Sequence, residues 1–538
     1  MRWWGWGDSA HAAALPAAAL RYLSSGLGLA LRTSPPVALA SVRLPSSALD
    51  RDTLDSLRGV VGERGVRDDR AERISHAAGR GYADLVRLRS GELEGAPDAV
   101  VLPSSHEQVR ELLELCADRS IAVVPFGGGT SVVGGVAPVR GQHGAVLALD
   151  MRRMAKLIDL DATSRTVTVE AGMRAAALER YLGEHALTLG HFPQSFEYVS
   201  LGGCVATRSA GQASSGYGSI EKMVLGMRLA APAGDIELPA VPATAAGPGV
   251  RQLLVGSEGI LGVLDLLELR VRAAPRERVY EGFFFGDFAT GAQALRSLAQ
   301  QHAMPEVARL SDEHETRMSL ALAGTGGVKD RLGRAYLGAR GYRDGCLAIF
   351  GFEGEGDELA DRRARARAIV RGSGGLAVGR SPGEAWLRSR FAAPYLRDEL
   401  LTHGIMVETL ETATQWSNLA ALHRAVGEAI TQALSACGTP GVAMCHVSHL
   451  YETGASLYFT FLASRREQDE IGQWSAVKQA ASRAIVEGGG TITHHHAVGR
   501  DHAPWMGQEI GTASLSALRA MKRELDPRGI MNPGKLLD

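Results

Sequence analysis

The segment that decides the fold covers residues 125–136 and reads PFGGGTSVVGGV. It continues an apolar run, IAVVPFG, which predicts a buried strand. Three consecutive glycines at 127–129 place no side chains between backbone and ligand, so their N–H groups can converge on a pyrophosphate without a lysine. No Gly-Lys-Ser/Thr follows, which excludes a Walker loop, and the spacing is not GxGxxG. The segment alone is consistent with an anion-binding loop or with a tight turn.

Strands and helices alternate on both sides of this segment. AVVLP predicts a strand, SSHEQVRELLELCADRS predicts a helix N-capped by Ser104 or Ser105, and IAVVPFG predicts the next strand, so that a βαβ unit begins here. Further along, AVLALD, LIDLD and RTVTVEAG alternate as strands do, and a helix is predicted from about 174 to 185. Short strands interleaved with helices indicate an α+β domain over residues 93–272.

The rest of the chain divides into three parts. Residues 1–92 are predicted to form a helical N-terminal region, and residues 273–500 a second α+β domain that caps the first and carries the substrate site. This second domain contains a predicted helix near 291–301, the Arg-rich helix DRRARARAIVR and strands such as CLAIFGFEG and SLYFTFLA. Residues 501–538 are predicted to contain a helix and a tail that returns to the first domain.

Composition excludes several classes of protein. Of the 538 residues, 45% are hydrophobic and 22% charged, which is the balance of a globular protein rather than a disordered one. Lys+Arg 58 against Asp+Glu 59 leaves no global basic field, so no nucleic-acid partner is expected. Five cysteines without a CxxC pair argue against a disulfide framework and for a reducing compartment. We expect a cytoplasmic protein without a membrane span.

Two further blocks accompany the glycine segment in a fixed order. Residues 191–235 read HFPQSFEYVSLGGCVATRSAGQASSGYGSIEKMVLGMRLAAPAGD, and residues 256–263 read GSEGILGV. Together the three blocks resemble the flavin-binding domain of the vanillyl-alcohol oxidase and para-cresol methylhydroxylase superfamily. The resemblance implies an FAD-binding domain of two subdomains, in which the first loop wraps the pyrophosphate and the other blocks line the adenine, ribose and isoalloxazine. Thr130 and Ser131 stand where members with histidyl-linked flavin carry a histidine, which favours non-covalent FAD.

The cofactor-binding residues that this resemblance implies come from all three blocks. They are Pro125, Phe126, Gly127, Gly128, Gly129, Thr130, Ser131, Gln194, Ser195, Phe196, Glu197, Tyr198, Val199, Ser200, Thr207, Arg208, Ser209, Ala210, Glu258, Gly259, Ile260, Leu261, Gly262, Val263 and Leu264.

The second domain indicates which chemistry the flavin serves. ARLSDEHE, PYLRDELL, YETGASLYFTF and GGTITHHHAVG, together with the N-terminal RWWGWGD, resemble the alkyldihydroxyacetonephosphate synthase family. The resemblance implies a homodimeric transferase of ether lipid biosynthesis. Such an enzyme exchanges the acyl chain of acyl-dihydroxyacetone phosphate for a fatty alcohol without net redox change, through covalent catalysis by the flavin.

The resemblance also implies a role for each candidate site residue. Arg397 is predicted to bind the phosphate, because a guanidinium offers forked donors to a dianion. Tyr458 is predicted to exchange the proton at the reacting carbon, with a pKa lowered by neighbouring cations. The histidines His494, His495 and His496 are expected to position substrate and flavin. Arg309 either supports the flavin-side wall or forms a structural salt bridge.

Adjacent histidines can also bind a metal. In a strand, His494 and His496 would point to one face and His495 to the other, so at most two would converge. His446 and His449 are the nearest further candidates. The 2-hydroxy-acid dehydrogenases of the same superfamily bind a metal with a Gly-Asp-Gly-Asn core and a later Gly-Glu-His. Here that core is absent and a His fills the Glu position, so no metal is expected.

Other features leave a second function open. HFPQS stands where the family has His-Glu-Pro-Asp-Ser, and the ending MNPGKLLD resembles lactate or glycolate dehydrogenases. The alternative is therefore an FAD-dependent oxidoreductase of a small 2-hydroxy acid, with a non-enzymatic flavoprotein as a third hypothesis. Neither end carries a peroxisomal address, which favours the cytoplasm. The three N-terminal tryptophans and the Ala/Leu segment to Arg32 predict either an interfacial helix with peripheral membrane contact or a helix packed on the flavin domain.

Overall fold

The computed structural model describes residues 1–11, 14–323 and 328–537, and only the backbone of residues 9, 328–331 and 334. Its strands are β1 Val66–Arg67, β2 Ala99–Val101, β3 Ile121–Phe126, β4 Ala145–Asp150, β5 Leu157–Asp161, β6 Thr166–Glu170, β7 Leu187–Thr188, β8 Val224–Ala231, β9 Gly234–Leu238, β10 Val263–Arg270, β11 Arg272–Ala273, β12 Glu277–Phe285, β13 Val307–Ser311, β14 Cys346–Gly354, β15 Leu376–Gly379, β16 Ile405–Gln415, β17 Gly441–Leu450 and β18 Gly454–Ser464. Its α-helices are α1 Ala17–Arg21, α2 Arg51–Val61, α3 Arg70–Ser75, α4 Tyr82–Ser90, α5 His106–Asp118, α6 Ala175–Glu184, α7 Leu201–Ala206, α8 Ser214–Tyr217, α9 Val250–Leu254, α10 Phe288–Gln300, α11 Glu313–Ala323, α12 Val328–Ala339, α13 Gly356–Gly372, α14 Ser381–Ser389, α15 Ala393–Thr402, α16 Leu419–Ala436, α17 Glu470–Glu487, α18 Met506–Ile510 and α19 Thr512–Leu525.

A four-stranded sheet in the order β1-β2-β4-β3 carries the glycine segment at the end of β3. Strands β2 and β3 pair parallel with β4, as the predicted βαβ unit requires. Helix α5 packs on this sheet through Val109, Leu112 and Leu113. The Ser105 hydroxyl caps α5 by accepting a hydrogen bond from the Gln108 N–H. Because β1 comes from the N-terminal region, this sheet crosses the predicted boundary at residue 92.

An antiparallel sheet, β5-β6-β10-β8-β9, forms the second half of the flavin domain. Helices α6 and α7 pack against it, and the core between them contains Leu178, Leu182 and Val205. The α+β fold of two subdomains is therefore present.

The capping domain is a seven-stranded antiparallel sheet in the order β15-β12-β14-β13-β17-β18-β16. Helices α10, α13, α16 and α17 supply apolar side chains to a shared core with this sheet, as Leu295, Val426 and Val477 illustrate. Helices α11 and α15 belong to a separate apolar cluster with β16, β17 and β18. The site lies where these last three strands approach the flavin domain.

The N-terminal segment is packed, although the predicted helix to residue 32 is too long. Among the described residues of this segment only Ala17–Arg21 is α-helical, and a short π-helix over Tyr22–Gly26 follows. Leu15 and Leu23 are buried in the cluster with α15 and β16 of the capping domain, rather than on the flavin domain. Trp6 is 3% exposed. The Arg2 guanidinium lies 4.3 Å from the centre of the Trp4 ring.

The C-terminal tail returns to the flavin domain, as predicted. Met531 forms a parallel bridge with Val123 of β3. The Asn532 side-chain amide donates to the Glu258 carbonyl oxygen at 2.7 Å and to that of Gly135 at 3.1 Å. In the described ranges, every helix is too short or too polar to cross a bilayer.

Candidate active site

One cavity of about 550 Å³ lies between the glycine segment and the capping sheet. Its flavin-domain wall comes from residues 125–136, 193–212 and 257–264, and its capping wall from β16, β17, β18, α11 and α15. An apolar arm of the cavity is lined by Leu15, Leu23, Met318, Val407, Met444 and Leu462. The cavity therefore joins a polar chamber to an apolar arm.

Gly127 and Gly128 leave no room for a side chain, because Ser200 and the backbone at Tyr198 approach them closely. A Cβ on Gly127 would lie 2.1 Å from the Ser200 hydroxyl, and one on Gly128 would lie 2.4 Å from the Tyr198 carbonyl oxygen. The loop thus places bare backbone at the cavity, next to α7, whose Ser200 cap accepts from the Gly203 N–H.

Unpaired polar groups make the flavin-side wall suitable for a polar cofactor. The Ser257 hydroxyl and the Gln212 side-chain oxygen are buried at the cavity with no hydrogen-bond partner among the described residues. Glu258 is already engaged, because its carboxylate accepts the N–H groups of Val498 and Gly499, both at 2.8 Å. Burial raises the pKa of Glu258 to about 7. Bare backbone and unpaired polar groups, an amide oxygen that accepts and a hydroxyl that can donate or accept, fit a dinucleotide such as FAD.

Most of the predicted cofactor residues line this cavity. They are Pro125, Phe126, Gly127, Gly128, Gly129, Thr130, Ser131, Gln194, Ser195, Val199, Ser200, Thr207, Ser209, Ala210, Glu258, Gly259, Gly262, Val263 and Leu264.

Six predicted cofactor residues lie outside the cavity, each held by other contacts. Phe196 stacks on Phe391, Glu197 accepts from the Tyr395 hydroxyl, and Tyr198 packs edge-on against Trp6. Arg208 pairs with Glu221, while Ile260 and Leu261 are buried in the core of the flavin domain. The resemblance of a segment to the family identifies the loop that borders the cavity. It does not show which side chains of that loop face the cavity and which face away.

The capping strands arrange their side chains in rows across the sheet. Tyr458 of β18 stands opposite His446 of β17 and Glu411 of β16. The next row has Thr460 between Met444 and Thr409, and the third has Leu462 between Val442 and Val407. Residues in register share a face, so this face changes from ionisable to apolar within three rows.

Tyr458 lies at the polar end, among imidazole rings. His446 stacks on it at 4.8 Å between ring centres, and His496 meets it edge-on at 5.4 Å. The expectation that nearby cations lower its pKa is wrong, because burial raises the pKa of Tyr458 to about 12. Burial also lowers the pKa of His495 to about 3, so that ring is neutral and not a cation. Tyr458 therefore keeps its proton at neutral pH.

The His triplet lies in a loop after α17 and not in a strand. One carboxylate organises it, because Glu411 accepts the N–H of His494, that of His495 at 2.9 Å and that of His496 at 2.6 Å, as well as the Thr493 hydroxyl at 2.9 Å. Burial opposes ionisation, but the imidazoles and these donors hold the pKa of Glu411 far below its ordinary value. His495 and His496 line the cavity, whereas His494 does not.

His494 turns towards two other rings. Its Nε2 bonds the Tyr451 hydroxyl at 2.5 Å, and its Nδ1 lies 2.9 Å from His495 Nδ1. With His449 of β17, nitrogens of all three imidazoles lie within 4.8 Å of one another, close enough to share an ion. Two histidines of the triplet therefore converge, as expected, but they are His494 and His495 rather than His494 and His496, because the segment is a loop and not a strand. His449 Nε2 already donates to the Gly211 carbonyl oxygen at 2.9 Å.

Arg309 and Arg397 both line the cavity. Arg309 forms the anticipated salt bridge, with Glu315 of α11. Arg397 Nη1 donates to the Arg80 carbonyl oxygen at 2.6 Å, while its Nε and Nη2 are buried without a hydrogen-bond partner among the described residues. Arg80 also lines the cavity, and burial together with Arg397 lowers its pKa to about 10. Arg397 therefore presents unpaired donors to the cavity.

Sequence reasoning missed Arg80, and it considered His446 and His449 only as possible metal ligands, although all three line the cavity. Arg80 ends the segment RDDRAERISHAAGR, whose charges resemble those of a solvated helix. His446 and His449 stand in CHVSHLYE, which alternates as a half-buried strand does. This alternation indicates a strand on which side chains could face the site.

The chain matches two family models, "FAD binding domain" over residues 97–238 and "FAD linked oxidases, C-terminal domain" over residues 274–536. The alkyldihydroxyacetonephosphate synthase of Dictyostelium discoideum is 33% identical over 88% of this chain and 78% of its own length. The chain belongs to the alkyldihydroxyacetonephosphate synthase family. FAD is accordingly its cofactor.

Solved structures agree with this assignment. A synthase structure superposes with a TM-score of 0.85 and 29% identity, covering 99% of this chain and 98% of its own. p-Cresol methylhydroxylase shares the fold, with a TM-score of 0.66 and 16% identity over 90% of this chain and 96% of its own. This synthase-family chain therefore has the flavin-domain architecture that the sequence predicted.

Proposed function

We propose that this protein exchanges the acyl chain of acyl-dihydroxyacetone phosphate for a fatty alcohol. The observation that carries the proposal is the continuity of the cavity, which runs from the polar chamber at Tyr458 into the apolar arm. A substrate with a phosphate at one end and a long chain at the other needs both environments. A small 2-hydroxy acid would leave the apolar arm unused.

The phosphate is assigned to Arg397. Its Nε and Nη2 have no hydrogen-bond partner among the described residues, although Nη2 lies 3.7 Å from the Asp398 carboxylate, and a guanidinium binds phosphate through two parallel hydrogen bonds. Arg80, whose carbonyl oxygen holds Arg397 in place, adds a second buried positive charge. Buried donors interact with a dianion more strongly than the same groups in water.

Residues 125–131 and 257–264 would hold the FAD, which when bound supplies the nucleophilic ring nitrogen for exchange at the substrate carbon. The chain's own groups orient the substrate and move protons. Tyr458 keeps its proton, so it would give this proton to the reacting carbon and take up the one that the carbon loses, which leaves both groups as they started. His495 and His496, fixed by Glu411, form the wall beside it.

A peripheral contact with membranes would deliver the lipid substrates. The support lies on α11, where Met318 and Leu322 line the cavity and Leu320 of the same helix is 36% exposed. Co-sedimentation with liposomes tests this contact, and loss of binding in Leu320→Asp is expected. A cytoplasmic location and a homodimer stay predictions.

The substitution Tyr458→Phe tests the proposed function. We expect ether formation to fall by at least about 100-fold, because the proton donor is lost, while the protein keeps its FAD and yellow colour. Tyr280→Phe is the matched control, since Tyr280 is also buried in the capping sheet but bonds Glu353 outside the cavity. Unchanged ether formation in Tyr458→Phe would refute the role of Tyr458.

A further inference from the structure

The exchange reaction requires a base. Acyl-dihydroxyacetone phosphate and an alcohol give the ether, a fatty acid carboxylate and one proton, and that proton begins on the alcohol oxygen. The carbon–oxygen bond to the alcohol forms, the bond to the acyloxy group breaks with its electron pair, and no electrons are gained or lost overall. Tyr458 cannot take the proton at neutral pH because it already holds its own.

We propose that His446 is the general base that accepts the proton of the incoming alcohol, with Glu315 as its positioning residue. The proposal rests on the proposed function, since it names the group that this reaction needs. His446 lines the cavity and is 5% exposed.

A carboxylate fixes the tautomer of His446. Its Nδ1 lies 3.0 Å from the Glu315 carboxylate. Burial acts to raise the pKa of Glu315, but the Arg309 charge and the hydrogen bond from His446 lower it to about 2, so the carboxylate is ionised and accepts. The hydrogen is therefore on Nδ1, and the Nε2 lone pair is available because it bonds no other described residue. The same carboxylate–histidine arrangement orients the base in hydrolytic triads.

The position of His446 suits a hydroxyl group on a long chain. On β17 the next side chain on the same face is Met444, which lines the apolar arm. On α11, Glu315 is followed by Met318, which lines the same arm. An alcohol whose chain fills the arm would place its hydroxyl at the row of His446 and Tyr458.

Burial, assisted by the Arg309 charge, keeps His446 neutral at neutral pH. Burial and then the Arg309 charge lower its pKa below the ordinary 6.5, against the opposite effect of Glu315. A neutral imidazole is the form that accepts a proton, so the alcohol step should be independent of pH above about 6.5 and slow as the pH falls through the lowered pKa. The titratable or charged groups that face His446 are Arg309, Asp312, Glu315, His449, Tyr458 and His495.

The test separates the two halves of the reaction in His446→Gln holoenzyme. Acyl-dihydroxyacetone phosphate alone should perturb the flavin spectrum and release fatty acid as in the wild type, because neither requires deprotonation of an alcohol. Ether formation from a fatty alcohol should slow by about 10²–10⁴-fold, the usual contribution of a general base. The loss should be much smaller for an alcohol that carries two fluorines on the carbon next to the hydroxyl-bearing carbon, because its hydroxyl proton is more acidic. In His446→Gln the fall in rate at low pH should also disappear.

His423→Gln is the matched control. His423 also lies near a carboxylate, 3.6 Å from Asp312, but it stacks on Phe288 and does not line the cavity. Equal slowing of both halves in His446→Gln, equal losses for the two alcohols, or the same defect in His423→Gln would overturn the assignment. If the wild type released no fatty acid and showed no spectral change, the proposed function itself would fail.

Discussion

Around Tyr458, burial affects the pKa values of the side chains more than neighbouring charges do. The rings of His446, His495 and His496 lie beside that of Tyr458, but burial lowers the pKa values of all three, to about 3 for His495, and leaves them neutral. Positive charge in the cavity wall is supplied by guanidinium groups, of which Arg309 is matched by Glu315. The phosphate end of a substrate is therefore directed to Arg397 rather than to the imidazoles.

Gly128 tests the backbone binding of FAD at the level of one residue. In Gly128→Ala the new Cβ would meet the Tyr198 carbonyl oxygen at 2.4 Å and the Val199 Cα at 2.9 Å, and backbone cannot turn away as a side chain can. We expect FAD affinity to fall by at least about tenfold, which is about 1.4 kcal/mol. Fluorescence titration of the apoprotein with FAD measures the change.

Gly144→Ala is the control, because nothing lies within 4 Å of the Cβ position there. It should bind FAD like the wild type. Full affinity in Gly128→Ala would show that the loop does not hold the cofactor through its backbone.

The residue types at the site could be predicted from the sequence, but their hydrogen-bond partners and pKa values could not. The glycines, Tyr458 and the His triplet stand in recognisable segments. The pairing of Glu315 with His446 joins residues 131 positions apart, and the pKa of Tyr458 depends on burial by rings from two other segments. Neither follows from local sequence.

At the scale of elements, one strand controls the shape of a loop. Glu411 of β16 accepts the backbone N–H groups of three consecutive residues, His494–His496. In a sheet the carbonyl groups of a neighbouring strand would accept such N–H groups, and here a side-chain carboxylate does so. These N–H groups have no other partner among the described residues, so the Glu411 carboxylate determines where His495 and His496 lie.

The substitution Glu411→Gln tests this control. The amide keeps the shape, but it loses the charge and turns an NH₂ group towards donors, so buried N–H groups lose their acceptor. We expect the free energy of unfolding to fall by about 2–4 kcal/mol in urea titrations. Glu452→Gln, at an exposed turn between β17 and β18, should change it by less than about 0.5 kcal/mol. Equal stabilities of the two variants would contradict the account.

Periodicity predicted several elements but gave no prediction for the loop of the His triplet. Helices α5, α6 and α10 lie where the apolar spacing placed them, and alternation found the strand that carries Tyr458. The segment TITHHH has a β-branched start typical of a strand, yet it bends around a carboxylate from a distant element. A tertiary contact thus overrides local preference.

At the scale of the molecule, the cavity exists only where several regions meet. The N-terminal segment contributes Leu15, the N-terminal region Arg80, and the capping sheet the rows from Tyr458 to Leu462. The sequence predicted two domains and a flavin between them, but not which distant segments would complete the apolar arm. That arm distinguishes a lipid exchange from oxidation of a small hydroxy acid.

The central claim is that the flavin serves exchange on a long-chain phosphate rather than oxidation. The most direct measurement is the anaerobic absorbance spectrum of the purified protein, titrated with acyl-dihydroxyacetone phosphate and, separately, with lactate. We predict a saturable spectral change with the first and no bleaching of the flavin by the second. Bleaching by lactate, with no response to acyl-dihydroxyacetone phosphate, would contradict the claim.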